Sequence, residues 1–120
     1  MPLKASKGAK KKADDLFSKI IRSRGHCQKC GGTRDLQTAH IISRRYAHTR
    51  TDLDNAFCLD AKCHMHFTEW PLEFADFVEE KIGLPAYEAL VVKSMQRTKV
   101  DWPAEVERLV PILAMIEARR

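Results

Sequence analysis

The 120-residue chain carries 21 Lys and Arg against 16 Asp and Glu, a formal net charge of +5. That length suits one domain with a modest core, and no apolar run is long enough to cross a bilayer. The chain is therefore expected to be soluble and cytoplasmic, where thiols stay reduced. Its four cysteines then read as metal ligands rather than a disulfide framework.

The positive charge sits at one end. Lys4, Lys7, Lys10, Lys11 and Lys12 stand without an acid among the first 12 residues, and this segment is expected to be a disordered basic tail. Residues 13–68 carry a net +3 and residues 69–120 a net −3, so a polyanion would dock on the N-terminal half.

Residues 13–120 are expected to form one α+β, mostly helical domain. Ala13, Leu16, Phe17, Ile20 and Ile21 mark a helical stripe, with Asp14 and Asp15 placed to sit in its first turn and Gly25 to stop it. Residues 26–67 hold every cysteine and histidine and little helical periodicity. Leu36–Ile42 and Ala56–Leu59 read as short strands joined by the polar connection Ser43–Asn55, and a helix begins near Lys62. Residues 69–120 form a helical extension. One helix follows Pro71 and is closed by Gly83, one follows Pro85, and a last one is kinked or split by Pro111. The aromatic and Met residues of this half read as packing.

Cys27-x2-Cys30 and Cys58-x4-Cys63 supply the four soft donors of a structural zinc site, and Gly31 and Gly32 suit a tight knuckle after the first pair. A mixed site is the alternative, with His26 or His66 replacing one cysteine. Four protein ligands leave no open position for substrate, so chemistry falls to the histidines nearby. His40, Asn55 and His64 are each ordinary alone. Together, a neutral imidazole to activate water and a second imidazole with an amide to hold a cation meet the needs of phosphodiester hydrolysis.

At this point the sequence resembles a known family. Cys27-x2-Cys30-Gly31, Ala39-His40-Ile41-Ile42, Leu53-Asp54-Asn55 and Cys63-His64 look like the HNH endonuclease pattern in its zinc-bound form. The resemblance covers roughly residues 26–67 and implies a ββα-metal finger. It matches His40 to the general base, Asn55 to the middle Asn and His64 to the last His. It also implies a catalytic Mg2+, Mn2+ or Ni2+ and DNA products with 5′-phosphate and 3′-hydroxyl ends. Asn55 would either ligate that ion or orient His40.

Two features depart from the pattern. Ala39 stands where many such enzymes carry a metal ligand, leaving Asn55, His64 and His66 or Asp54 to hold the ion. Cys58 lies closer to Asn55 than the third cysteine usually does, so the zinc loop is distorted relative to the pattern or Asp60 or His66 takes part. Arg44, Arg45, Arg50 and Lys62 flank these motifs as candidate phosphate contacts. Over the whole chain, Ile21-Arg22, Lys81-Ile82-Gly83 and Val100-Asp101-Trp102 resemble the NinG-like phage recombination nucleases. That would imply branched or nicked DNA as substrate, the host cytoplasm as location, and a phage protein partner on the C-terminal helices. A non-catalytic zinc-stabilised DNA-binding module, or a recombination or packaging accessory protein, is the rival reading.

Overall fold

In the computed structural model, which describes residues 2–119 and the side chains of residues 8–119, the chain is mostly helical, with one two-stranded antiparallel sheet. The order is α1 (Pro2–Arg22), β1 (Leu36–His40), α2 (Ala47–Arg50), β2 (Ala56–Asp60), α3 (Ala61–Glu69), α4 (Pro71–Ile82), α5 (Leu84–Ser94) and α6 (Trp102–Ala118). Among the described residues no helix is long and apolar enough to cross a membrane.

The sheet lies between two apolar clusters, and β2 shows why its residues are almost all apolar. Phe57 and Leu59 pack with Ala39, Cys63, Phe67, Phe77 and Val78 on one face. Ala56 and Cys58 pack on the other with Ala13, Phe17, Ile20, Ile21 and Leu109. A strand buried on both faces loses polar alternation. The register pairs His40 with Ala56, and an Ile41 N–H to Asn55 carbonyl bond of 2.9 Å carries the ladder one step further.

Three expectations are corrected. The first helix starts at Pro2, so residues 8–12, expected in a disordered tail, are helical. Ala9 is buried and the Lys10 ammonium lies 5.8 Å from the Trp102 ring centre of α6, which gives the early turns something to pack on. Asp14 and Asp15 consequently fall in mid-helix rather than in a first turn. Finally, Pro111 does not split the last helix, which continues from Trp102 to Ala118. Pro111 lies on the exposed side, and the apolar face of Leu109, Ile112, Leu113 and Ile116 stays against α1. The polar connection 43–55 holds the short helix α2. The helices after Pro71 and around Pro85 form as expected, the first ending at Gly83 with φ +81°.

Candidate metal cluster and histidine pocket

The knuckle after α1 is built by backbone geometry. The Cys27 N–H donates to the Gly32 carbonyl (2.7 Å) and the Gly31 N–H to the Cys27 carbonyl (2.8 Å). Gly31 has φ +81°, a conformation glycine adopts without penalty. At Gly32 an added Cβ would stand 3.0 Å from Asp60 Oδ2, so the turn closes directly onto the cluster. Gln28 fastens the knuckle to β2. Its N–H donates to the Cys58 carbonyl and its Oε1 accepts from the Cys58 N–H, both at 2.8 Å.

These contacts bring Cys27, Cys30, Asp60 and Cys63 together, with ligand atoms all within 4.8 Å of one another. Tetrahedral zinc–thiolate geometry puts sulfur atoms about 3.8 Å apart, so closing around an ion needs only small movements. The cluster suits a structural metal ion.

Cys58, expected as the third cysteine ligand, is not part of it. Its thiol is fully buried in the α1-facing cluster. Asp60, two residues on, takes the place because the chain leaves the strand there. As N-cap of α3 its Oδ1 accepts from the Cys63 N–H (2.8 Å), while Oδ2 accepts from the Cys30 thiol (3.0 Å). One carboxylate thus starts the helix that carries Cys63 and completes the cluster. The Cys30 thiol and the Cys63 N–H hold the Asp60 carboxyl below the usual range. Burial and the Asp60 carboxylate push the Cys63 thiol up. A cation would relieve this crowding of proton-sharing donors. His26 bonds the Arg24 carbonyl through Nδ1 (3.1 Å), and His66 Nε2 lies 3.0 Å from Glu73; neither joins the cluster.

His40 and His64 line one shallow pocket of about 130 Å3 with Ala39, Phe67, Thr68 and Phe74. On β1, Thr38 and His40 face α1, where the His40 ring lies 5.2 Å from that of Phe17. Gln37 and Ala39 face the opposite way, and Gln37 Oε1 meets His64 Nδ1 at 2.8 Å. The His40 Nε2–H donates to the Arg50 carbonyl at 2.9 Å, an acceptor that needs a protonated nitrogen. Nδ1 therefore keeps its lone pair. Gln37 likewise leaves His64 Nε2 unbonded among the described residues.

Burial holds the His40 imidazole below its ordinary pKa, helped by the Arg44 and Arg50 charges and opposed by the Arg50 carbonyl and Asp14. The sign of the consequence is fixed. The unfolded chain takes a proton near pH 6.5 while the folded one resists it, so stability is lost as pH falls below about 6.5. Denaturant titrations from pH 7.5 to 5 should show wild type losing more stability than His40→Gln. Parallel curves would contradict the burial argument.

Asn55 is fully buried and its amide is spent. Oδ1 accepts from the Ile42 N–H (2.8 Å), and Nδ2 donates to the carbonyls of Ile42 (3.0 Å) and Thr49 (2.9 Å). These bonds hold the 42–55 connection that presents the Arg50 carbonyl to His40. Asn55→Ala strands one buried and two part-buried backbone groups and should cost about 2–4 kcal/mol in urea denaturation. A loss under 1 kcal/mol would show that water replaces these bonds.

The basic residues divide. Arg50 is committed to Asp14 through two bonds of 2.8 and 2.7 Å. Arg44 approaches Asp14 at 3.9 Å, and Arg45 lies over the Tyr46 ring. Lys62 and Arg45 are exposed. A second concavity, of about 590 Å3, contains neither pocket histidine, and its Arg24 and Lys93 are already bonded to carbonyls and Asp52.

No family model, curated protein or solved structure matches the chain. Function rests on the site's own chemistry. Asp60 was the ligand that cysteine spacing did not single out, although a carboxylate three residues before Cys63 at a helix start is a capping signal. Gln37 and Asp14 carried no signal of their own.

Proposed function

We propose that this protein is a divalent-ion-dependent endonuclease of the HNH kind, hydrolysing DNA to 5′-phosphate and 3′-hydroxyl ends. The observation that carries the reading is one pocket holding two imidazoles with complementary free nitrogens. His40 Nδ1 is free to take a proton from water, with the resulting charge on the imidazolium spread toward the Arg50 carbonyl. A neutral imidazole suits this role near pH 7. The order β1, β2, α3 agrees with what a ββα-metal finger requires.

The catalytic ion expected from the resemblance fits His64 Nε2. It does not fit Asn55, whose amide is internally bonded, and His66 is turned to Glu73. Water and phosphate oxygens would have to complete the shell, which suits a hard divalent ion. Such an ion neutralises charge on the phosphate and on the departing 3′ oxygen. The Cys27, Cys30, Asp60, Cys63 cluster, with zinc as its ion, would serve as the clamp that fixes α3, and so His64, against β1. Arg45 and Lys62 are the residues placed to contact phosphates.

The test is conversion of supercoiled plasmid by zinc-loaded protein with added magnesium, manganese or nickel, then the same on branched DNA. Ion-dependent nicking is expected. Tight DNA binding with no cleavage of either substrate would favour the non-catalytic module.

A further inference from the structure

The Arg50 carbonyl, which fixes the orientation of His40, is itself held from two helices outside the strand–strand–helix unit. On one side the Arg50 guanidinium, with its side chain 14% exposed, bonds Asp14 of α1 in the bidentate form. A third bond, to the Arg44 carbonyl at 3.0 Å, ties it to the start of the same connection. On the other side, buried Thr51 donates its hydroxyl to Glu105 of α6 (2.6 Å), and its carbonyl accepts from Arg108 (2.7 Å). Glu105 and Arg108 bond one another at 2.9 Å, so the α6 anchor is a closed set.

We propose that Asp14 on α1 and the Glu105–Arg108 pair on α6 are positioning residues for the general base, acting through residues 50 and 51 on His40. This rests on the nuclease reading for its catalytic meaning, although the clamp acts on His40 whether or not cleavage occurs. A carbonyl at the end of an unanchored connection would wander relative to β1. The imidazole would then exchange between its two neutral tautomers, and the one with a protonated Nδ1 cannot accept a proton from water at that nitrogen. Bidentate Arg–carboxylate geometry restricts both distance and plane, which a single bond does not. It also gives α1 and α6 a function beyond their shared apolar contact.

The test uses the full, zinc-loaded chain and two separate anchors. Asp14→Asn keeps the size but loses the charge and half of the fork; Thr51→Val keeps the volume and leaves Glu105 on Arg108. Imidazole nitrogen NMR of wild type should show His40 with protonated Nε2 and unprotonated Nδ1. Each variant should show mixed tautomers while its amide spectrum remains that of a folded chain. Where cleavage is measured, kcat should fall about 10- to 100-fold with KM little changed, and Asp14→Glu should recover part of the loss. A single unchanged His40 tautomer in both folded variants would overturn the proposal. Failure of wild type to cleave would sink the nuclease reading alone, because the tautomer measurement stands independently of it.

Discussion

His40→Ala is expected to lower ion-dependent strand cleavage by about 10²- to 10⁴-fold, the usual contribution of a positioned general base. The substitution removes His40 Nδ1, the nitrogen whose lone pair the Nε2–H bond to the Arg50 carbonyl keeps free. It also strands the Arg50 carbonyl and deletes a ring contact with Phe17, a structural cost of about 1–3 kcal/mol. Loss of activity alone would thus be ambiguous. His40→Gln separates the effects, since a side-chain amide can donate to the Arg50 carbonyl but has no basic nitrogen. Both variants should bind DNA as wild type does, and both should lose cleavage to that extent. A His40→Gln protein that cleaves at the wild-type rate would remove proton abstraction by His40 from the mechanism.

The parts of this architecture legible in sequence are those set by local spacing. The two strands, the start of α3 and the α4 boundary follow from apolar runs, Pro71 and Gly83. His40 and His64 stand out in sequence only as parts of one motif with Asn55, and both line the same pocket. What was not legible depends on contacts distant in sequence. The lysines of residues 8–12 suggest a solvated tail until α6 is present to receive Lys10 over Trp102. Pro111 predicts a break only if its side of the helix needed the lost hydrogen bond, and that side is exposed. Asn55 has the residue type of a ligand, but three backbone partners, brought close by the fold of the 42–55 connection, leave its amide nothing to offer an ion.

Spacing favours four cysteines, whereas the geometry selects three cysteines and Asp60, because the strand-to-helix turn at residue 60 redirects the chain before Cys63. The two ligand sets predict opposite outcomes. Cys58→Ala should retain one zinc per chain. Its cost should be that of a small cavity among Phe17, Ile21 and Leu109, about 1–2 kcal/mol. Asp60→Asn should lose most of the zinc affinity and part of the α3 cap, because an amide is a weaker donor to the ion and brings no negative charge. Cys63→Ala should be worse still. It removes a ligand from the helix that carries His64, and structural zinc in small domains supplies on the order of 10 kcal/mol of folding free energy. Metal content by mass spectrometry under native conditions, read beside thermal unfolding with and without chelator, decides between them. Zinc retained at full stoichiometry by Asp60→Asn and lost by Cys58→Ala would restore the four-cysteine site. It would also require β2 to turn its Cys58 face away from α1, which would undo the packing that now buries Phe17 against His40.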